Sequence, residues 1–358
     1  MVKKHIFRTL LALFTAIGLT WINPVIAALP PGNAVNDPYE ILRNALPIQQ
    51  TDLREIQHKI EDTGALVRGS RWPAVIKSVS SGQFRISNRK NEILNSMPTG
   101  DRKKGENIIN NLKISLTSLG ELANSKNKAA FLEERSKSLK QVGDLEALVL
   151  GDQFPYSIPK EFDNLPRLLG RANASIKTNK GSMKAVIDGY NAPLTSGAFV
   201  DLALKGFYDG LPINRAEEFF VLQTGDPDGP NTGYINPETN EERHVPLEIR
   251  VPKKADTIYN NTFEELGLYT ETPVLPFAAP GALGWSHSGT AVDDGSSQFF
   301  FFLYDAELNP AGRNLIDGNN AAFGYVTEGS EILNQLEVDD QIISIKIDNG
   351  ENLLKPHA

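Results

Sequence analysis

The sequence of 358 residues contains no cysteine. This absence excludes a disulfide framework, an iron–sulfur cluster, a thiolate zinc site and a cysteine nucleophile. The sequence also lacks a basic stripe with interleaved aromatic residues, which argues against nucleic acid as a partner. Hydrophobic residues make up 40% of the chain and charged residues 22%, so an apolar core must stabilise the folded state. No metal ion or cofactor is predicted.

Long hydrophobic runs are scarce, and the clearest one lies near the N-terminus. Three cations precede an uncharged apolar stretch, Leu10 to Trp21, that is too short for a comfortable membrane span. This pattern predicts a signal peptide over residues 1–27 that is cleaved after Ala27, with cleavage after Ala28 as the nearest alternative. An uncleaved anchor is disfavoured because no stop-transfer pattern follows. No serine- and arginine-rich transit segment precedes the run, so we expect bacterial-type export to the thylakoid lumen or the periplasm.

The mature chain divides into two differently built parts. Residues 28–170 carry a net charge of +3, whereas residues 171–358 carry −14 and hold eleven of the 17 phenylalanines. The length also favours two domains. We predict a helical bundle over 28–150, a proline-rich connector over 151–170 and a β domain over 171–358.

The predicted bundle rests on apolar residues that recur at helical spacing. Four long antiparallel helices with short connections form an up-and-down bundle, in which each apolar stripe packs against the others. The four stripes are Leu53, Ile56, Ile60 and Val67; Val75, Val79, Ile86, Ile93 and Met97; Ile108, Leu112, Leu116 and Leu119; and Leu132, Leu139, Val142, Leu145 and Val149.

Two polar features of the predicted bundle have a functional and a structural interpretation. His58 is its only histidine and no Glu-x-x-His pair is present, so we interpret His58 as a solvated or half-buried helix residue rather than a metal ligand. Arg102, Lys103 and Lys104 form a short basic run that is typical of a solvated helix face, with contact to an anionic surface as the alternative.

After the connector the apolar pattern changes from helical to alternating. Two alternating segments flank Asn179-Lys180-Gly181, which is typical of a β-hairpin. Pro193 opens a short helix, and another is predicted near Glu331 to Leu336. Many strands with two short helices predict a closed antiparallel β-barrel, so the expected fold class is multidomain α and β. The further strands are predicted at residues 218–224, 245–251, 297–303, 321–326 and 341–347.

Four motifs follow one another in this second part. They are Tyr208-Asp209-Gly210; Asn214-Arg215 with Phe219 to Asp226; Pro280 to Ser286 with Gly295 to Phe300; and Asp317-Gly318 with Phe323-Gly324. Their order and spacing resemble the cyclophilins, with their Y-x-G, F-H-R-x-x-x-x-F-x-x-Q-x-G-D, G-S-Q-F-F and D-G-x-x-x-x-F-G motifs. The resemblance implies a cyclophilin-like barrel with prolyl cis/trans isomerase activity. With its bundle and signal peptide, the chain is similar to the large thylakoid-lumen cyclophilins of cyanobacteria and chloroplasts.

The resemblance also implies roles for individual residues. Arg215 matches the catalytic arginine, and Gln223 matches the contact to the substrate carbonyl group. Without the flanking motifs, Arg215 would be interpreted as a surface arginine paired with Glu217 or Glu218. The other substrate-binding residues that the resemblance implies are Phe220, Val221, Ser286, His287, Gln298, Phe300, Leu315, Ile316 and Asn320.

Several positions depart from the family pattern at the rim of the predicted site. The usual histidine before the arginine is Asn214, and the usual rim histidine is Asn320. The tryptophan that lies beside this histidine in the family corresponds to Leu315. It corresponds to Leu308 if the extra residues in this part of the chain are placed later in the alignment. The asparagine of the M-A-N-A strand corresponds to His287. These changes leave the arginine in place but predict looser proline binding and slower turnover.

Two functions therefore stay open from the sequence. The first is a slow prolyl isomerase for exported or lumenal proteins, with a role in photosystem II assembly or maintenance that the resemblance implies. The second is a non-catalytic assembly chaperone or scaffold that recognises peptides through an altered site. Arg215 and Gln223 favour the first, and the altered rim favours the second. The implied partners are proline-containing clients, including photosystem II subunits and membrane-associated proteins. An insertion between Gln223 and Gly281 is predicted to cover the site or to form a partner surface.

Overall fold

The computed structural model describes residues 35–151, 154–254, 256–305, 314 and 316–356. The predicted signal peptide lies outside these residues. As predicted, the first part of the described chain is helical and the second consists mainly of antiparallel strands. The α-helices are α1 (Pro38–Ala45), α2 (Thr51–Arg68), α3 (Trp72–Asn88), α4 (Lys90–Asn95), α5 (Arg102–Asn124), α6 (Lys128–Leu150) and α7 (Pro193–Leu204).

Four of the helices form a bundle in which each helix packs against two others. They are α2, α3, α5 and α6. Helix α2 packs against α3 and α6, and α5 packs against the same two helices from the other side. Residues of the predicted stripes, such as Leu53, Ile60 and Leu112, are fully buried in the centre. Burying one such side chain stabilises the fold by about 1.5–3 kcal/mol relative to leaving it exposed, so the stripes supply the apolar packing between the helices.

Two stripes differ from the prediction by one position. Leu132 of α6 is 37% exposed, and its neighbour Phe131 is fully buried instead. Phe131 lies edge-on to Trp72, with ring centroids 6.1 Å apart. In α5, Ile109 is fully buried while Ile108 is half-buried. The aromatic residue takes the inner position on α6 because its larger apolar surface gains more from burial.

The second part of the described chain consists mainly of β-strands. The strands are β1 (Arg167–Leu168), β2 (Arg171–Thr178), β3 (Ser182–Asp188), β4 (Ile213–Glu217), β5 (Val221–Thr224), β6 (Glu248–Ile249), β7 (Ile258–Tyr259), β8 (Ala282–Trp285), β9 (Phe299–Phe302), β10 (Ala322–Glu328), β11 (Ile342–Asn349) and β12 (Leu354–Lys355). Eight of them form an antiparallel sheet in the order β11-β2-β3-β10-β8-β9-β5-β4. Two-stranded pairings join β1 to β12 and β6 to β7.

The sheet is curled but does not close, so the predicted closed barrel is wrong. Its edge strands β4 and β11 share no ladder of hydrogen bonds. The starts of the two strands are linked by an isolated bridge between Pro212 and Gln341 and by the backbone hydrogen bonds around it. The Ile213 N–H donates to the Asp340 carbonyl oxygen at 2.7 Å, and the Ile342 N–H donates to the Leu211 carbonyl oxygen at 2.9 Å. Only the first residue of each edge strand takes part in these backbone bonds, so the two edges diverge beyond this point.

Other predicted elements of the second part have clear outcomes. The hairpin around Asn179-Lys180-Gly181 is confirmed, since β2 and β3 pair across it. The helix after Pro193 is α7, whereas the second predicted helix is a 3-10 helix, Ser330–Gln335. The predicted strand at 218–224 begins only at Val221, because the preceding residues form the turn between β4 and β5.

The inner face of the curled sheet is filled by aromatic rings. Phe299 lies edge-on to Phe199 of α7 and to Tyr208, with centroid distances of 5.1 and 5.2 Å. Leu165 and Leu168, from the end of the predicted connector, are buried in the same core. The last connector residues are therefore packed as part of the sheet domain.

Helix α1, which was not predicted, joins the bundle to the sheet. On the sheet side, Arg171 donates from Nη2 to the Leu42 carbonyl oxygen at 2.6 Å. On the bundle side, Arg43 donates from Nε to Glu61 Oε1 at 2.8 Å, and both side chains are largely buried. The two parts are thus connected by specific hydrogen bonds as well as by apolar contacts.

Among the residues that the structure describes, no helix combines the length and the apolar character needed to cross a bilayer. Within the same ranges, no three histidine, aspartate or glutamate side chains come together as potential metal ligands.

A buried carboxyl group in the sheet domain makes the stability depend on pH. Glu248 is buried and accepts the Thr195 N–H at 2.6 Å. Burial raises the pKa of Glu248 from its ordinary 4.5 to about 8. The folded protein therefore keeps this proton up to about pH 8, while the unfolded chain releases it near 4.5. The contribution of protonated Glu248 to the free energy of unfolding is therefore complete below pH 4.5. It is lost as the pH rises through 8, by at most about 1.4 kcal/mol per pH unit.

We expect Glu248→Gln to flatten this part of the pH profile, because a neutral amide replaces the carboxylic acid. Urea unfolding at about pH 5.5 and 7.5 measures the slope for both proteins. Glu121→Gln on the exposed face of α5 is the matched control and should leave the slope unchanged. An equal slope in wild type and Glu248→Gln would contradict the assignment.

Candidate functional site

The hairpin of β4 and β5 places two of the predicted site residues side by side. Arg215 and Gln223 are direct cross-strand partners in this antiparallel pair. The guanidinium Nη1 of Arg215 donates to Gln223 Oε1 at 3.5 Å. Strand β5 pairs in turn with β9, where Gln223 lies opposite Phe300. Sheet register therefore brings three of the predicted residues together on adjacent strands.

A row of amide side chains continues from Arg215 across the sheet. Gln223 donates from Nε2 to Gln298 Oε1 at 2.6 Å, and Gln298 donates from its own Nε2 to the Thr232 carbonyl oxygen at 2.8 Å. Asp226 also accepts from Gln298, at 3.2 Å, and Asn214 donates to Gln298 Oε1 at 3.4 Å. Each amide carries two N–H donors, so Gln223 retains one for a ligand carbonyl group.

Arg215 is held by an ion pair but stays accessible. Its Nε and Nη2 each lie 2.7 Å from Glu217 Oε1, and its side chain is 46% exposed. The ion pair with Glu217, which would be typical of an ordinary surface arginine, is therefore present. The Arg215 Cζ atom also lies 5.9 Å from the ring centroid of Phe220. Among the described residues, these bonds use three of the five guanidinium N–H groups and leave two for a ligand.

The apolar residues of the predicted proline slot are close to this row but largely covered. Val221 and Phe300 are only 3% and 6% exposed. Phe300 stacks on Phe277, with ring centroids 5.6 Å apart and ring planes 20° from parallel. Phe220 and Ile316 are half-buried at the edge of the same apolar cluster, and α1 contributes to it as well. The residues of the predicted proline slot thus also pack against other apolar side chains of the protein.

The rim residues are engaged in hydrogen bonds with the backbone. The Ser286 N–H donates to the Gln298 carbonyl oxygen at 3.0 Å, and Asn320 donates from Nδ2 to the Trp285 carbonyl oxygen at 3.1 Å. His287 lies with Nδ1 2.9 Å from the Ala291 carbonyl oxygen and Nε2 2.8 Å from that of Asn319.

Both ring nitrogens of His287 therefore lie within hydrogen-bond distance of backbone carbonyl oxygens, and the ring lies between two loops. Its role as a substrate contact stays a prediction. Leu315, and Leu308 as its alternative, lie outside the described residues.

Phe277 is the residue that sequence reasoning missed. It lies between Gln223 and Gly281, where the chain contains the insertion that is predicted to cover the site or to form a partner surface. The Phe277 N–H donates to Asp317 Oδ1 at 2.8 Å, so its backbone is tied to the D-G motif beside the site. The apolar stretch around Phe277, between two prolines, was the available signal for a buried segment.

Comparisons with known proteins agree with this geometry. Residues 173–352 match the family described as cyclophilin type peptidyl-prolyl cis-trans isomerase/CLD. Residues 37–150 match the family described as peptidyl-prolyl cis-trans isomerase CYP38-like, PsbQ-like domain.

Two full-length relatives are similar over both parts of the chain. A putative thylakoid lumen peptidyl-prolyl cis-trans isomerase of Synechocystis is 43% identical over 97% of this chain and 94% of its own length. The chloroplastic peptidyl-prolyl cis-trans isomerase CYP38 of Arabidopsis thaliana is 38% identical over 93% of this chain and 79% of its own length.

Proposed function

Since this chain belongs to the cyclophilin-type peptidyl-prolyl cis-trans isomerase family, we propose that it slowly isomerises X-Pro bonds in exported or lumenal client proteins. The observation that carries this proposal is the row of Arg215, Gln223 and Gln298 beside the Phe220 ring. This row offers fixed N–H donors next to an apolar surface, which is the combination that a twisted prolyl bond requires.

The reaction needs no nucleophile, because no covalent bond is broken. Rotation about the prolyl bond costs ~18–20 kcal/mol, since it removes amide resonance. A fixed cation that donates to the proline nitrogen stabilises its pyramidal, non-conjugated form more than the planar ground state. We assign this role to the two unused N–H groups of Arg215. Gln223 then holds the substrate carbonyl group, and Phe220 contacts the proline ring.

The slow rate follows from the rim and the slot. Asn214 donates to Gln298 rather than to a substrate, and Asn320 donates to the chain's own backbone. Phe300 is stacked against Phe277, which limits the apolar surface open to a proline ring. A less complete pocket binds the transition state less tightly and therefore accelerates the reaction less.

We place this activity in the thylakoid lumen, with a role in photosystem II assembly or maintenance. The location is supported by the two relatives, whose names give the thylakoid lumen and the chloroplast. The photosystem II role is supported by the PsbQ-like description of the helical domain and by the resemblance to large lumenal cyclophilins. The clients would be proline-containing subunits with segments exposed in the lumen.

A non-catalytic scaffold is the second candidate, and the covered slot favours it. With Val221 and Phe300 nearly buried, the surface around Arg215 offers hydrogen bonds but little apolar depth. Exchange spectroscopy on a short X-Pro peptide, in the presence of a protein that comprises residues 28–358, distinguishes the isomerase from the scaffold. An isomerase raises the cis/trans exchange rate above the uncatalysed one. A scaffold binds the peptide and leaves exchange at tens to hundreds of seconds.

The photosystem II role is tested in a cyanobacterium that lacks its own similar lumenal cyclophilin. Expression of this chain should restore the amount of assembled photosystem II. If Arg215→Ala restores it equally, the role in assembly does not depend on catalysis. If wild type restores nothing while being exported and folded, the proposed role is wrong.

A further inference from the structure

A groove of about 1040 Å³ lies on the sheet domain beside the β4–β5 turn. It is lined by the end of β4 with the turn after it, residues 216–219, and by the 3-10 helix Ser330–Gln335 with residues 336–338. We call it the acidic groove. Its volume lies just above the range for small-molecule pockets, about 300–1,000 Å³, which suits a peptide segment of several residues.

The floor and lips of the acidic groove are apolar. Leu222, Leu333 and Leu336 line it from below and are buried. Phe219 and Val338 also line it and are 52% and 51% exposed. Exposed apolar side chains that line one groove are typical of an interaction surface rather than of a solvated one.

The rim of the acidic groove carries charge of one sign. Among its described lining residues there are four glutamates and one aspartate, and neither lysine nor arginine. Glu217 pairs with Arg215, whereas Glu218, Glu331 and Glu337 are exposed and make no ion pair within the described part of the chain. The surrounding residues 171–358 carry a net charge of −14, which adds to the negative potential.

We propose that the acidic groove binds a cationic peptide segment with apolar side chains, supplied by a partner protein. The apolar side chains would lie on Leu222 and Leu333, beside Phe219 and Val338. Lysine or arginine side chains would pair with Glu331 and Glu337, and a cation over the exposed ring of Phe219 would gain further stabilisation. A segment of acidic and apolar residues supplies only the apolar side chains, and a segment of cationic and polar residues supplies only the cations. The proposal does not depend on isomerase activity.

Fluorescence anisotropy with residues 28–358 tests the proposal directly. The probe is a labelled peptide of alternating lysine and leucine, compared with a lysine–serine peptide and a glutamate–leucine peptide. We expect the lysine–leucine peptide to bind most tightly, with an affinity that falls as salt rises. The double variant E331Q/E337Q should weaken binding about threefold to tenfold, because each exposed charge pair contributes little by itself.

Matched variants separate a localised groove from a general charge effect. E238Q/E351Q removes the same charge from exposed positions elsewhere on the sheet domain and should leave binding unchanged. Phe219→Asn removes the ring with a residue that tolerates its positive φ of 60°, and should weaken binding as much as E331Q/E337Q. Phe84→Asn, at an exposed phenylalanine of α3, is its control.

Several outcomes would overturn the proposal. They are no binding of the lysine–leucine peptide, equal binding of the lysine–serine peptide, and equal weakening by the groove variants and their controls. Self-association of the chain that displaces the peptide, seen by sedimentation, would instead assign the acidic groove to a second copy.

Discussion

Replacing Arg215 by alanine should slow catalysed cis/trans exchange about 10²–10³-fold, which is the usual effect of losing one preorganised donor to a transition state. Arg215 is the cation in the row of site residues, and its contacts leave two guanidinium N–H groups for the substrate. Peptide binding should change much less, because Phe220 and Gln223 still supply the apolar and carbonyl contacts. Exchange spectroscopy gives the rate, and a titration followed by chemical shift gives the affinity.

Two further variants show what Arg215 contributes. Arg215→Lys should restore little activity, because a compact ammonium group does not reproduce the planar fork. Glu217→Gln keeps the guanidinium group and removes only its exposed ion pair, so we expect a change of less than about tenfold. Full activity in Arg215→Ala would show that the catalytic role implied by the cyclophilin motifs does not apply to this residue.

Gly284→Ala should destabilise the protein by about 1–3 kcal/mol, the usual cost of adding a methyl group to a filled core. Gly284 lies on β8 opposite Phe300, where its missing side chain leaves room for two stacked rings. A Cβ atom at this position would overlap Cζ of Phe300 and would lie 2.8 Å from Cε1 of Phe277. The rings would have to separate, which also changes the slot. Urea unfolding measures the loss.

A second substitution tests whether crowding of the two stacked rings causes the loss of stability in Gly284→Ala. Phe277→Leu makes room beside Phe300, so the double variant with Gly284→Ala should lose less stability than the two single variants added together. Gly289→Ala is the control, since Gly289 is exposed and a Cβ there meets no atom within 4 Å. Strict additivity would contradict the proposed crowding between these rings.

Much of the helical part was predictable because its signals are local. Leu53, Ile56 and Ile60 repeat at helical spacing, and a helix with this repeat has one apolar face whatever its surroundings. The exchange of Leu132 for Phe131 was not predictable from spacing alone. Both residues fit a helical stripe, and only the contact with Trp72 on another helix decided which one is buried.

The candidate site also has one part that the sequence predicts and another that it does not. Motif spacing places Arg215 and Gln223 on paired strands, and the sheet register then brings Gln298 beside them. The burial of Phe300 was not predictable, because it depends on Phe277, which lies outside the cyclophilin motifs of the sequence. The catalytic role of Arg215 and the substrate contacts stay predictions until they are tested by exchange.

Local patterns were therefore sufficient for the helices, for the hairpin around Asn179-Lys180-Gly181 and for the order of the family motifs. Each of these depends on residues that are near one another in the chain, where backbone geometry relates sequence spacing to direction. Whether the curled sheet closes, how far Phe300 is covered and where α1 lies depend on segments that are distant in sequence. Those outcomes were decided by which apolar surfaces fit together in three dimensions, and no local period encodes that fit.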